Sequence, residues 1–447
     1  MTIFLKLIIA IIFTHQALFW IYLWQIKEYR FDRFSDSLKN PHDLLKSFKN
    51  QYNFLSWFRP KSTFRGLISS LFSLLTIFSL IFYFPLEISI FTTFLIPLIS
   101  SFFIIIFNPV FTILKKRQIN QAKIIMSKFK GITIGVTGSY GKSSTKEILA
   151  TILSHKFKVE KTPKNNNSEI GVAQTVLNLK TKPEIFVVEM GAYKIGEIKA
   201  ICNIVKPKIG IITGLGDQHL SLFGSLQNIK TAKYELIKSL PKNGFGLVAD
   251  KDFSLKDAKN IKTFTDHLEF DYQKHHFSLP LLGKNLIRNV IGAIKIAQYL
   301  GMTLSEIQQA LDKIDKKLFH PRLITLKNDI FIVDDSYNSS LESFLSALGY
   351  LKTWKDYKKV LITPGIIELG SHAEKNHRLI GKNLASIDSI VVTQAHYFKE
   401  LNQHNNALLI SNPKKIISYL KSLKKTKTVF LFKGRLPSII ISSLSHE

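Results

Sequence analysis

Residues 137–145, Thr-Gly-Ser-Tyr-Gly-Lys-Ser-Ser-Thr, set two glycines, several hydroxyls and a lysine at the spacing that cradles a phosphate. Glycines let backbone N–H groups turn inward, and a helix that follows adds the partial positive charge of its N-terminus. In such a loop Lys142 reaches the β and γ oxygens of a nucleotide and the Ser143 hydroxyl sits on Mg²⁺. Gly138, Ser139, Gly141 and Ser144 complete the lining. The first glycine of the general pattern is missing, and Val136 stands in its place.

Other polar residues wait at the ends of apolar runs. Residues 185–189, Ile-Phe-Val-Val-Glu, end on Glu189, a candidate Mg²⁺ ligand. Residues 211–220 pass from Ile-Ile-Thr through Gly-Leu-Gly to Asp217 and His219. Ala232-Lys233-Tyr234-Glu235 lies on a helical run. Taken singly, such a Glu also caps helices, a loop His is usually solvated, and the last motif reads as a charged helix face.

The elements around these residues have a pattern. Apolar β-branched runs at 132–136, 184–189, 208–213 and 244–249 read as buried strands. Helical runs between them, such as 146–153 and 229–240, give a doubly wound α/β unit with active residues at strand C-terminal ends. Residues 281–300 and 303–314 read as two helices that close it. A second α/β series begins near residue 318, with strands at 330–334, 359–363, 389–393 and 428–432. The division expected is a membrane region at 1–120, an ATP-binding domain at 121–317 and a Rossmann-like α/β domain at 318–447.

Residues 7–26, 66–86 and 88–114 are apolar and each is long enough to cross a bilayer, which takes about 20 residues. No small-residue cleavage site follows the first, so an uncleaved anchor is expected rather than a signal peptide. Lysine and arginine crowd residues 27–65 and 115–117, and basic flanks stay cytoplasmic. That places the Pro85 hairpin and the N-terminus outside a multi-pass cell-membrane protein, with the α/β domains in the cytoplasm. The net charge of +29 is spread along the chain without a nucleic-acid-binding signature, so it points to acidic lipid and not to nucleic acid. Cys202 is the sole cysteine, which excludes an intrachain disulfide and suits a reducing compartment.

From residue 130 onward the order of motifs resembles the Mur ligases, ATP-dependent amide-forming enzymes of peptidoglycan precursor synthesis. Their phosphate loop also lacks the first glycine. The resemblance implies that Lys142 and Ser143 bind phosphate and magnesium, and that Glu189 and His219 are metal ligands. It makes Lys233 the lysine that is carbamylated in relatives and helps hold a second Mg²⁺. Thr162, Asn165 and Asn167, in residues 162–171, resemble the substrate-side loop. Asn289 matches an adenine-contacting asparagine, and Arg322, in His-Pro-Arg-Leu, one that touches ATP phosphates. Residues 334–338, Asp-Asp-Ser-Tyr-Asn, resemble a loop that closes over the nucleotide, with Asp335 and Tyr337 toward ATP and Asn338 toward substrate. Glu368-Leu369-Gly370 resembles a later loop.

There are departures. Asn285-Leu286 replaces a usual His-Asn, Ser340-Leu341 an Asn-Pro, and Lys433-Gly434-Arg435 a Lys-Gly-Ser-Arg. Membrane helices replace the soluble domain that binds a UDP-sugar in relatives. The activity implied is ligation of a dipeptide amine, D-alanyl-D-alanine, to a small or lipid-linked muramyl peptide through an acyl phosphate. Lys142, Lys233, His219 and Arg322 would be its catalytic groups, with ATP and two Mg²⁺. A poly-γ-glutamate synthase-like ligase is the neighbouring alternative; a membrane scaffold or transporter ATPase is one from another class.

Overall fold

A computed structural model describes residues 2–27, 29, 31–36, 63–164, 166–180, 182–216, 220–336, 339–366, 369, 372–423 and 427–445. The chain divides into two compact units, Met1–Gln118 and Ile119–Glu447.

In the first unit the helices Thr2–Ile26, Phe64–Tyr83 and Leu86–Ile106 are long and apolar enough to cross a membrane. They pack on Trp20, Ile21, Trp24, Ile77, Ile81, Ile96 and Ile104. Small polar groups share that interior: Ser69, Ser73, Ser89, Thr92 and Ser100 are buried. Phe91, Phe94, Leu98 and Phe102 are instead exposed. Hydrogen bonds from Trp24 Nε1 to Ser101 Oγ (2.9 Å) and from Thr93 Oγ1 to Gln16 Oε1 (3.0 Å) cross the bundle. The third apolar stretch does not run unbroken to residue 114, as its composition suggests. Its helix stops at Ile106, and Asn108–Ser127 is a separate helix. Pro109 has no N–H to donate to Ile105, so the ladder is interrupted there.

The second unit holds two parallel-based sheets. Among the described residues the first has the order β2-β3-β1-β4-β5, from Val159–Lys161, Ile185–Glu189, Ile132–Thr137, Ile209–Ile212 and Phe245–Val248. All its pairings are parallel. Runs of Ile and Val buried on both faces suit that arrangement. One face packs under the helices Lys142–Leu153, Asn285–Tyr299 and Leu304–Leu311. The other meets the helices Glu169–Leu177, Glu197–Val205 and Leu226–Lys238, with Ile119, Ala122 and Met126 from Asn108–Ser127. An antiparallel sheet, β6 (Lys259–Thr263), β7 (Leu268–Tyr272) and β8 (His275–Leu279), extends this core. The strand reading did not anticipate it, because its alternation of polar and apolar residues is short.

The second sheet contains β9 (Arg322–Thr325), β10 (Ile330–Asp335), β11 (Lys358–Thr363), β12 (Ser389–Val392), β13 (Ala407–Leu409) and β14 (Thr428–Lys433). Its order is β13-β12-β11-β14-β10-β9, with β9 antiparallel to β10. The register of β10 and β14 sets Asp335 opposite Lys433. Lys433 is fully buried, its ammonium paired with the Asp335 carboxylate and donating to Ser343 Oγ at 3.0 Å. Burial pushes the Asp335 carboxyl up, against the pull of Lys433.

Removing one partner of such a pair strands a charge. Lys433→Ala is expected to destabilise the chain by about 3–5 kcal/mol, whereas Lys433→Met with Asp335→Leu recovers most of it. Thermal unfolding of the full chain checks both.

Candidate active site

The centre of the site is the turn between β1 and the helix Lys142–Leu153. β1 lies between β3 and β4, where consecutive connections leave in opposite directions, the usual crevice of an open α/β sheet. Gly141 precedes the helix with φ +78° and no side-chain cap. A Cβ there would lie 2.7 Å from Asn289 Oδ1, so both space and conformation demand glycine. The first helical turn therefore keeps N–H groups without a side-chain acceptor, an arrangement suited to an anion. Ser143 and Ser144 are half-buried on that turn.

The turn is fastened to the segment after β4. Ser139 N donates to Gly214 O at 2.8 Å, and Gly216 N to Ser139 Oγ at 3.1 Å. Thr213 Oγ1 bonds the carbonyl of Tyr140, whose hydroxyl reaches Leu215 O at 3.3 Å. Lys142 curls back, donating to Gly138 O at 2.9 Å and Ser139 O at 3.3 Å. Burial lowers its pKa, while the Glu189 charge partly restores it.

Glu189 ends β3 and is 1% exposed. Its Oε1 accepts from Asn167 Nδ2 at 2.9 Å, and its backbone N donates to Thr162 Oγ1 at 3.0 Å. Thus Thr162 and Asn167 do gather here, as holders of the carboxylate. Lys233 is buried on the helix Leu226–Lys238, its ammonium 5.7 Å from the Phe223 ring centre. Burial, and next the positive charge of Lys142, push its pKa down to about 7. Lys142 therefore feels both Glu189 and Lys233, which makes one electrostatic cluster of the three. Glu235, in the same motif, instead accepts from the backbone N–H groups of Gly196 and Lys199 and so anchors a helix start. Among the described residues no group of three His, Cys, Asp or Glu could hold a metal. Asp217 and His219 lie outside the described residues, as do Asn165, Tyr337, Asn338, Glu368 and Gly370.

Asn289 is buried against Gly141, and its Oδ1 has no hydrogen-bond partner. Beside it Arg288, read only as part of a motif, stacks 4.9 Å from the Tyr140 ring centre. Arg288 also pairs with Glu342 at 3.0 Å, at the start of the helix Leu341–Leu351, and so links the turn to the second sheet's layer. Arg322 is half-exposed and bonds Asp334 Oδ2 at 2.8 Å. Burial alone would raise Asp334, but hydrogen bonds from Ser336 and Arg322 hold it below its ordinary value. Asp335 is occupied by Lys433. Sequence reasoning missed Lys146, whose buried ammonium lies 3.3 Å from Glu189 Oε2.

Comparison with known proteins meets this geometry. Residues 136–297 match the Mur ligase middle domain. A UDP-N-acetylmuramoyl-tripeptide–D-alanyl-D-alanine ligase of Buchnera aphidicola is 33% identical over 69% of this chain and 75% of its own length. The enzyme of that name from Bacillus subtilis is 29% identical, and this chain spans 62% of it. That from Escherichia coli is 31% identical, with 63% of its length spanned. The MurF ligase of Thermotoga maritima, solved in complex with ADP, superposes with a TM-score of 0.66 at 26% identity, covering 74% of this chain and 82% of that one. Acinetobacter baumannii MurF shares the fold, with a TM-score of 0.68 over 74% of this chain and 81% of its own, at 24% identity. With residues 136–297 matching that domain and three quarters of the Buchnera aphidicola enzyme spanned at 33% identity, the chain belongs to the Mur ligase family.

Proposed function

We propose that this chain is an ATP-dependent, ADP-forming ligase that joins D-alanyl-D-alanine to the free carboxylate of a UDP-N-acetylmuramoyl-tripeptide. The observation that carries the reading is the clustering of Lys142, Glu189 and Lys233 beside the uncapped helix end after β1. A carboxylate does not react with an amine in water, because oxide would have to leave. Its oxygen first attacks the γ-phosphorus of ATP, releasing ADP and forming an acyl phosphate. The dipeptide amine then attacks the acyl carbon, loses a proton, and expels phosphate.

The protein's share is positioning and charge compensation. Lys142 exchanges its bonds to the Gly138 and Ser139 carbonyls for phosphate oxygens. Gly138, Ser139, Gly141, Ser143 and Ser144 supply the cradle, and Asn289 offers a buried, unpartnered Oδ1 beside it. The residues suit magnesium: Ser143 and Glu189 would hold it, with His219 and a carbamylated Lys233. Bound Mg²⁺ would offset the charge crowded between γ-phosphate and carboxylate. Thr162, Asn165 and Asn167 form the acceptor side. Arg322, Asp335, Tyr337 and Asn338 belong to the domain that must close for reaction. The relatives' names supply both substrates, and ADP in the Thermotoga maritima structure supports the nucleotide.

Carbamylation suits Lys233 on chemical grounds. Only a neutral amine adds CO₂, giving a carbamate and a proton, and an ordinary lysine is neutral about once in 2,500 at pH 7. A lysine pushed down to about 7 is neutral about half the time. The product is an anion, which removes the repulsion from Lys142 and makes the side chain a metal ligand.

The first unit reads as a membrane anchor. In lipid no solvent drives helices together, so small residues line their contacts and large apolar ones face outward. The buried Ser69, Ser73, Ser89 and Ser100 and the exposed Phe91, Phe94 and Phe102 follow that rule, although Trp20 and Trp24 are also inside. Residues 27–65 and 115–117 are basic and would lie on the cytoplasmic face of the cell membrane. A muramyl peptide carried on a lipid is the second acceptor this placement allows.

Phosphate release from ATP, with D-alanyl-D-alanine and either a nucleotide-linked or a lipid-linked muramyl tripeptide, tests the assignment. Turnover with neither acceptor sinks it. Lys142→Ala is expected to lower turnover by at least about 10²–10³-fold with an unchanged melting temperature. Activity should rise with pH through about 7, as Lys233 loses its proton. One pH unit lower, about a tenth of the amine is neutral, so CO₂-depleted buffer should depress activity most there and bicarbonate restore it. Lys233→Ala should regain part of its activity with a small added carboxylate.

A further inference from the structure

Lys146 lies one helical turn beyond Lys142 and is 1% exposed, yet nothing in the ligation chemistry uses it. Its Nζ donates to Lys164 O at 2.7 Å. The same ammonium stands 3.3 Å from Glu189 Oε2 and 3.4 Å from Glu147 Oε1. Glu147 in turn pairs with Lys161, at the end of β2. Glu189 Oε1 is taken by Asn167, whereas Oε2 faces Lys146 without a hydrogen bond. Lys164 has φ +46°, a conformation an L side chain holds only when its surroundings impose it. One buried cation therefore touches the strained residue of the acceptor-side loop and the open oxygen of the metal-side carboxylate. It sits on the same helix as the phosphate-binding lysine.

We infer that Lys146 is a positioning residue: it fixes the backbone at Lys164 to Glu189 and stands in for the divalent cation at Glu189 Oε2 until magnesium arrives. This rests on the ligase reading above. Like charges close together in a poorly solvated site oppose each other strongly. Magnesium must therefore bind Glu189 against the Lys146 charge, which keeps the metal exchangeable. The bond to Lys164 O is independent of that competition and holds the loop whether or not metal is bound.

The two roles separate by substitution in the full, detergent-solubilised chain. Lys146→Met loses both, Lys146→Gln loses the charge but keeps a donor, and Lys146→Arg keeps the charge on a wider head. Mn²⁺ binding in the presence of ADP, read by electron paramagnetic resonance, needs no acceptor. The Met and Gln variants should bind Mn²⁺ about 3–10-fold more tightly, and the Arg variant as the parent does. The KM for the muramyl tripeptide should rise about tenfold in the Met variant and less in the Gln variant. The KM for ATP should stay within about twofold in both. Unchanged Mn²⁺ affinity in the Met variant overturns the inference, and so does an unchanged acceptor KM. Loss of ADP binding in all three variants also overturns it, because Lys146 would then be a core residue only. If the parent fails to use D-alanyl-D-alanine, the substrate reading fails, while the Mn²⁺ measurement still decides the role of Lys146.

Discussion

An excess of buried positive charge governs the architecture of the site. Lys142 and Lys146 converge on one fully buried carboxylate, Glu189, with Glu147 at the edge, and Lys233 adds its repulsion of Lys142. Away from water such a group is costly, and the chain relieves the strain by every available route. Lys142 leans on two backbone carbonyls, Lys146 takes a carbonyl and two carboxylates, and Lys233 gives up part of its affinity for a proton. Each compensation is weaker than a phosphate or a carboxylate from a substrate would supply. The free site is thereby built to gain from anions, and electrostatic groups fixed in advance need no reorganisation when those anions arrive.

The fold makes that concentration of charge affordable by surrounding it with rigid, apolar structure. β1 has a strand on each side, and its Ile134 and Val136 are wholly buried, so the turn that follows has little freedom. Bonds from Ser139 and Thr213 tie that turn to the next strand end, and Thr137 Oγ1 donates to Met190 O at 2.8 Å just past Glu189. Three strand ends are thus locked together before any side chain acts. Side chains mounted on such a frame hold their positions more closely than side chains on free loops. The contact from Tyr140 through Arg288 to Glu342 carries the same rigidity toward the second sheet.

The buried strands were legible in the sequence because a parallel strand covered on both faces is a short run of Ile and Val. β1, β3, β4, β10, β11, β12 and β14 fall within one or two residues of those runs. The sheet of β6 to β8 was not legible: β6 is Lys-Asn-Ile-Lys-Thr, whose one apolar residue gives no period to read. The break at Ile106 was hidden by continuous hydropathy, and only Pro109 marks it. At the site, residue order and the family resemblance led to Lys142, Glu189 and Lys233. Lys146 escaped notice because a lysine one turn into a helix reads as a solvated face. Its burial brings it to Lys164 O and Glu189, long-range contacts that no local period records. Arg288 and Lys433 are of the same kind, since each acquires its partner only through tertiary packing.

The two units obey opposite rules of composition, and the contrast bears on how the chain works. In Ile119–Glu447 large apolar groups are mostly inside and lysines mostly outside, as water requires, with Lys146, Lys233 and Lys433 as buried exceptions. Among the described residues of Met1–Gln118, Phe91, Phe94, Leu98 and Phe102 are outside, while serines share the interior with Trp20 and Trp24. A water-facing surface of such Phe and Leu density would associate or precipitate. Lipid would accept it without that penalty, and the basic composition of 27–65 and 115–117 would suit acidic headgroups. The same positive surplus, +29 over the chain, favours anionic substrates as well as anionic lipid, and it does so more strongly at low ionic strength. An anchor of the kind proposed above would confine encounters with the substrate to a thin layer. That confinement matters most when the acceptor is itself held in the bilayer, and it is this consideration that makes the lipid-carried muramyl peptide a substrate to be weighed beside the soluble one.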